Sequence, residues 1–171
     1  MQAIANIQTA GFSNYSFDFI FGVPEETEEE WTQDLLTAFR FSPRHISAYG
    51  LTIEPGTEFG RLHKKGQFQE LDEEVQARLY EETERLLAER GYQRYEISNY
   101  AIPGSECRHN LGYWRNEDYP GLGAGAHSFL ERRNGSQRAS TRWVNQPRPE
   151  HYISAASTEG GAVQRSETLS E

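Results

Sequence analysis

Cysteine is nearly absent from the sequence: Cys107 is the only one among 171 residues. A single thiol cannot close an internal disulfide. Nor can it alone hold a structural zinc ion or an iron–sulfur cluster, which take about four ligands. We therefore expect the chain to build neither kind of site by itself.

Long apolar runs are also absent, and no window approaches the run of about 20 apolar residues that spans a bilayer. We expect a soluble protein and not an integral membrane protein. Residues 1–12 lack the basic region and apolar core of a secretory signal, so the expected localisation is cytoplasmic. The 26 acidic side chains outnumber the 17 basic ones, for a formal net charge of -9. This balance repels phosphate backbones and argues against a nucleic-acid partner.

The first two thirds of the chain alternate apolar or aromatic strands with charged helices. The first strand carries four aromatic side chains on one face, and the Thr27–Glu30 capping box starts the helix that follows it. The predicted elements are strands over 15–22, 46–53 and 95–100 and helices over 27–40 and 72–90. This βαβαβ order predicts an α/β fold, either an open parallel sheet or part of a (β/α) barrel.

Asp18 is the one charge in the first strand, and it shares a face with Ile20 and Gly22. A buried carboxylate without a partner costs several kcal/mol. We therefore expect Asp18 to bind either a ligand hydroxyl or amine in a barrel, or a local arginine or backbone amides. Thr52 lies near the end of the following strand, where it either lines the same cavity or serves only strand propensity.

The densest set of unusual side chains surrounds His109. On a helix, a spacing of four places His109 beside Tyr113 and Asn110 beside Trp114. A neutral imidazole is a good iron ligand, and flat aromatic walls suit a macrocycle. The other interpretation, commoner for such a spacing, is a core or hydrogen-bonded histidine. We interpret Cys107 as a small buried hydrophobe rather than an axial ligand.

Alternating glycines follow, and residues 121–126 match the dinucleotide fingerprint G-x-G-x-x-[GA]. No apolar strand precedes this match and no amphipathic helix follows it, so we reject a nicotinamide or flavin site. The glycines instead predict close approach of another backbone or of a flat ligand. His127 either faces that ligand or packs against the protein.

Five blocks in the same order resemble the oxygen-independent coproporphyrinogen III oxidase-like family of radical S-adenosylmethionine (SAM) proteins. They are F-D-F-I-F-G-V-P at Phe17, H-I-S-A-Y with E-P-G-T at His45 to Thr57, Y-E-I-S-N-Y-A at Tyr95, H-N-L-G-Y-W at His109 and the glycine-rich residues 121–128. The resemblance covers about residues 1–155 and begins in the middle of the family's barrel. The family's C-x-x-x-C-x-x-C loop, which holds a 4Fe–4S cluster, is not in this chain.

The resemblance implies a partial (β/α) radical SAM barrel, its second half, followed by a small α+β C-terminal region. Residues 1–103 then form the C-terminal half of the barrel, and residues 104–157 begin the family's haem- or porphyrin-associated region. Residues 158–171 are a polar tail that either is disordered or begins a further segment. Since the early barrel strands are absent here, strand edges are exposed, and we expect a second copy or an N-terminal half to cover them.

Within the family, H-N-x-x-Y-W resembles the haem chaperone branch, which binds haem and is thought to hand it to membrane respiratory proteins. The resemblance implies that His109 is the haem ligand, with Asn110, Tyr113 and Trp114 around it. It also implies that Asp18 and Thr52 contact SAM, and that His127 lies near SAM or porphyrin.

We therefore expect a fragment of a radical SAM haem chaperone whose ligand is haem. SAM and the 4Fe–4S cluster belong to the full-length family, and we predict no enzyme activity from this chain alone because SAM cleavage needs the cluster's electron. One alternative is a fragment of a coproporphyrinogen III oxidase, for whose substrate carboxylates the arginines after residue 105 supply basic contacts. Another is a chain without activity.

Overall fold

The computed structural model describes residues 2–134, 137–157 and 161–170, and the chain divides into two units, residues 1–107 and 108–171. The first unit contains α1 (Gln2–Thr9), β1 (Ser16–Phe21), α2 (Glu28–Phe39), β2 (His45–Gly50), α3 (Glu58–Lys64), α4 (Glu73–Glu89), β3 (Gln93–Arg94) and β4 (Asn99–Ala101). The second contains α5 (Arg108–Trp114), β5 (His127–Asn134), β6 (Gln137–Asn145), α6 (Pro149–Ala156) and β7 (Val163–Ser170). The α/β fold class is confirmed, whereas the roles assigned to residues 1–103 and 104–157 stay predictions.

The predicted capping box at the start of α2 is confirmed. The Thr27 hydroxyl accepts a hydrogen bond from the Glu30 backbone N–H at 3.2 Å, and the Glu30 carboxylate accepts one from the Thr27 N–H at 3.0 Å. These two bonds satisfy donors that the first turn of a helix leaves without intrahelical partners.

The first sheet has the strand order β1-β2-β4-β3. β1 and β2 are parallel, with Ser16 opposite His45 and Phe21 opposite Gly50. β4 runs antiparallel to β2, so the prediction of a third strand over 95–100 in a parallel βαβαβ order is wrong in both length and direction. The reason is that β3 pairs antiparallel with β4, and the bends between these strands reverse the chain.

The core of the first unit lies between the sheet and the helices α2 and α4. The aromatic face of β1 packs on α2, with the Phe19 and Phe21 rings 5.8 and 5.4 Å from Trp31. The Trp31 indole N–H donates to the Thr83 hydroxyl of α4 at 2.8 Å. The other side of β1 is not covered in this way.

The second unit is built on an antiparallel sheet of order β5-β6-β7. β7 lies within the segment 158–171, which the sequence assigned to a polar tail. Its backbone pairs along β6 from Asn145 opposite Val163 to Ala139 opposite Ser170. Because ladder hydrogen bonds need no apolar period, hydropathy gave no sign of this strand. Residues 158–160 and 171 lie outside the described residues.

Candidate functional site

The short helix α5 places His109 and Tyr113 on one face. Their ring centroids are 4.8 Å apart in an edge-on arrangement. The Tyr113 ring in turn meets Tyr119 at 4.5 Å, and Tyr119 stacks on Phe129 of β5 at 6.1 Å. A series of four aromatic or imidazole rings therefore runs from α5 to the sheet.

The His109 imidazole is exposed to solvent. Within the part of the chain that the structure describes, neither of its ring nitrogens makes a hydrogen bond. His109 is thus not the core or hydrogen-bonded histidine that the other interpretation of its spacing predicted. A histidine that binds a metal needs a ring nitrogen that no hydrogen bond already occupies.

A small cavity lies beside this imidazole. It has a volume of about 130 Å³ and is lined by Arg108, His109, Gly112, Tyr113, Glu117, Asp118 and Tyr119. Pockets that enclose a drug-sized ligand measure about 300–1,000 Å³. A cavity of this volume does not enclose a ligand as large as a macrocycle.

Asn110 and Trp114 belong to the same helix but do not line this cavity. The Trp114 side chain is 52% exposed. The Asn110 side-chain oxygen is buried and has no hydrogen-bond partner among the described residues. A buried polar atom without a partner is uncommon and costs free energy.

His127 is the first residue of β5 and is exposed. It lines a different cavity, of about 180 Å³, together with Arg142, Trp143, Val144, Arg165, Ser166 and Glu167. The structure therefore does not bring His127 and His109 into one cavity.

Asp18 lies in the first unit and is exposed on the uncovered face of β1. The expectation of a buried carboxylate is wrong, because within the described part of the first unit nothing packs over Asp18 and its side chain is exposed. Its partner is a neighbouring hydroxyl, since the Ser16 Oγ donates to the Asp18 Oδ1 at 3.3 Å. Thr52 follows β2 and is also exposed.

A buried polar network at the start of β2 was missed from the sequence. His45 is a buried residue, 7% exposed, and its ring has Nδ1 2.8 Å from the Ser16 hydroxyl and Nε2 2.8 Å from the Tyr95 hydroxyl. Burial lowers the pKa of His45, and the nearby carboxylates of Asp18 and Glu96 oppose this shift. Burial also raises the pKa of Tyr95 to about 12. Along β2, His45, Ser47 and Tyr49 alternate with Ile46, Ala48 and Gly50. This alternation indicated that the three polar side chains share one face of the strand.

The glycine-rich loop before β5 confirms the prediction of close backbone approach. A Cβ on Gly121 would lie 2.1 Å from the His127 carbonyl oxygen. The Asn145 side-chain amide donates to the carbonyls of Gly121 and Gly123 at 3.3 and 3.0 Å. The element after this loop is the strand β5, whereas a dinucleotide-binding loop is followed by a helix. This agrees with the rejection of a dinucleotide site.

The described residues offer few groups of side chains that could bind a metal ion. Among the described residues no three His, Cys, Asp or Glu side chains group to hold a metal ion. Cys107 is exposed, so its interpretation as a buried hydrophobe is wrong, and one thiol does not fit a 4Fe–4S cluster. Over the same residues, no helix has both the length and the hydropathy to cross a membrane.

Comparison with known proteins found no matching family model but several curated relatives. The Synechocystis protein named heme chaperone HemW is 38% identical to this chain, and the match covers 86% of this chain and 38% of the relative. The Bacillus subtilis protein of the same name is also 38% identical, and that match covers 88% of this chain and 38% of the relative. The Escherichia coli protein of that name is 42% identical over 68% of this chain and 30% of its own length. The chain thus spans less than two fifths of the relatives it matches.

One solved structure has a similar fold. It is coproporphyrinogen III oxidase (HemN) from Escherichia coli, described as a radical SAM enzyme, with a TM-score of 0.71 and 18% identity over 99% of this chain and 40% of that chain. This match confirms a partial radical SAM fold. The curated relatives described above are named as chaperones, which confirms the choice of branch made from H-N-x-x-Y-W.

Proposed function

Over the part that it spans, the chain belongs to the HemW haem chaperone branch of the coproporphyrinogen III oxidase-like radical SAM proteins, and on this premise we propose that it contributes the haem-binding region of such a carrier. Its ligand is haem, held by His109 as the axial ligand to iron. The relatives' name supports haem as the ligand, and the geometry around His109 supports the residue.

The observation that carries this proposal is an exposed imidazole, without a hydrogen-bond partner among the described residues, against the ring of Tyr113. The neutral imidazole supplies a nitrogen lone pair to the iron. The Tyr113 ring packs against the imidazole, with their centroids 4.8 Å apart. Arg108 at the same cavity offers a guanidinium to a propionate carboxylate. An open surface site suits a carrier, because its cargo must leave again.

Asn110, Trp114 and His127 complete the proposed haem surroundings. Trp114 supplies an exposed flat ring, and Asn110 supplies an oxygen without a partner among the described residues. His127 is an exposed imidazole on a cavity that also holds Arg142 and Arg165. These three residues rank behind His109, because none of them lines its cavity.

Asp18 and Thr52 are proposed SAM contacts in a complete barrel. The uncovered face of the first sheet presents the Asp18 carboxylate beside exposed Ile20 and Tyr49 side chains. A carboxylate there can accept hydrogen bonds from hydroxyl or amine groups, as SAM carries. This chain does not supply the thiolates for a cluster, so we propose that the reductive cleavage of SAM depends on a cluster held by residues outside this chain. We also propose that the protein is located in the cytoplasm.

Haem titration followed by absorption spectroscopy tests the His109 assignment. We expect the wild-type chain to shift the Soret band on binding haem, and His109→Ala to weaken binding by about tenfold or more and to change the band position, because the iron loses its axial nitrogen. The matched control is His151→Ala, which removes an exposed histidine of α6 in the same unit. Equal spectra and affinities for His109→Ala and wild type would remove the ligand role.

A further inference from the structure

The first unit contains a cavity of about 340 Å³ that none of the roles above uses. Phe39 at the end of α2, Arg90 just after α4 and the segment leading into β2 line it. The cavity lies at the start of β2. The proposed SAM contact Thr52 follows the opposite end of that strand, so the two sites are separate. The volume of the cavity falls within the range of about 300–1,000 Å³ that is typical of small-molecule sites.

The lining carries positive charge without compensation. Arg44 and Arg90 both line the cavity, and none of the lining residues is acidic. Over the residues that the structure describes, neither arginine forms an ion pair, although the chain as a whole has a net charge of -9. Both guanidiniums also lie close enough to Tyr92 to lower its pKa, against the larger raising effect of burial.

Arg90 makes a cation–π contact with Phe39. Its guanidinium carbon lies 4.8 Å from the centroid of the Phe39 ring. The guanidinium is planar, and two of its N–H groups can donate to two oxygens of one anion. A cation after the end of α4 suits the helix dipole, but Arg44 precedes a strand and has no such explanation.

The walls of the cavity are fixed. The Tyr92 hydroxyl donates to the Pro43 carbonyl at 2.5 Å, and the Tyr92 ring lies 6.0 Å from Phe39. The backbone of Arg44 is bonded on both sides, to Tyr15 and Ile102. Ser42, also in the lining, has a φ of 50°, a left-handed conformation that costs free energy outside glycine and is enriched at functional sites.

We propose that this cavity binds a phosphate monoester that carries a small aromatic or apolar group. A phosphate monoester has a charge of about -1.5 to -2 at neutral pH, which two guanidiniums neutralise. Phe39, Tyr92 and Ile102 give the lining an apolar part that suits such a group, and the Ser42 hydroxyl is a further donor. This site is independent of the haem site, since every residue that lines it belongs to residues 1–107.

Calorimetric titration with phenyl phosphate, inorganic phosphate and benzoate tests the proposal. We expect phenyl phosphate to bind the wild-type chain more tightly than the other two probes, and Arg44→Gln to weaken it by about tenfold through loss of a charge-assisted hydrogen bond. The control is Arg40→Gln, which removes an exposed cation that does not line the cavity. Because Arg44 is exposed and forms no ion pair among the described residues, circular dichroism should show Arg44→Gln folded.

Three results would overturn the proposal: no heat from phenyl phosphate at millimolar concentration, unchanged affinity in Arg44→Gln, or an equal loss in Arg40→Gln. Tighter binding of benzoate than of phenyl phosphate would contradict the choice of a phosphate. Haem titration of Arg44→Gln separates the two sites, because we expect it to match wild type whether or not His109 holds haem.

Discussion

At Gly121 the backbone leaves no room for a side chain. An added Cβ would meet the His127 carbonyl oxygen at 2.1 Å, and backbone cannot yield as a flexible side chain does. We expect Gly121→Ala to lower the free energy of unfolding by about 1–3 kcal/mol, as overpacking does, measured by urea denaturation. Gly112→Ala is the control, since its Cβ would meet only the Glu117 side chain at 3.4 Å. Equal losses in the two variants would contradict this account of the loop.

The buried His45 makes stability depend on pH. Its folded-state pKa lies below the ordinary value of 6.5, so the folded chain binds its proton less readily than the unfolded chain does. Stability is therefore fully present above pH 6.5 and falls as the pH drops from there through the folded-state pKa. The groups facing the ring are Ser16, Tyr95 and the carboxylates of Asp18 and Glu96.

Unfolding free energies measured at about pH 8 and pH 5 test this dependence. We expect His45→Gln, which keeps a polar side chain between Ser16 and Tyr95, to lose part of the decrease at low pH. His63→Gln, at an exposed histidine of α3, should retain the whole decrease. An identical pH profile in wild type and His45→Gln would refute the assignment.

Helices α2 and α4 are joined by one buried hydrogen bond, from Trp31 to Thr83. Thr83→Val keeps the shape of the side chain but leaves the indole N–H buried without a partner. We expect a loss of about 1–3 kcal/mol in the free energy of unfolding, the cost of an unsatisfied buried donor. Thr83→Ser retains the hydroxyl and should lose less. The account fails if Thr83→Ser is destabilised more than Thr83→Val.

Elements fixed by local signals were predictable from the sequence. The Thr27–Glu30 capping box starts α2, and the helix predicted over 72–90 matches α4 at Glu73–Glu89. By contrast, β4 and β7 owe their existence to pairing with distant strands, and strand pairing leaves little trace in local composition. The orientation of a strand against its neighbour is likewise a property of the whole sheet.

The same distinction applies to the sites. His109 and Tyr113 lie four residues apart on one helix, so their contact followed from spacing alone. Arg44 and Arg90 come from different elements, and only the folded chain brings them to one cavity. The sequence analysis also predicted the burial of Asp18 wrongly, because burial depends on what covers the sheet and not on the neighbouring residues in sequence.

At the scale of the whole molecule, the proposed haem residues and the proposed SAM residues lie in different units of the chain. The chain spans less than two fifths of the HemW relatives and carries one cysteine. The residues proposed for haem all lie in the unit of residues 108–171, whereas those proposed for SAM lie in the unit of residues 1–107. The central claim is therefore that haem is bound through the His109 imidazole, with no cluster required.

Chemical rescue of His109→Ala tests this claim most directly. A variant without the side-chain imidazole should bind haem with an altered Soret band, and added free imidazole should restore the wild-type band by supplying the missing nitrogen to the iron. His151→Ala should show the wild-type band with or without imidazole. If His109→Ala keeps the wild-type band before any imidazole is added, another group holds the iron and the account is wrong.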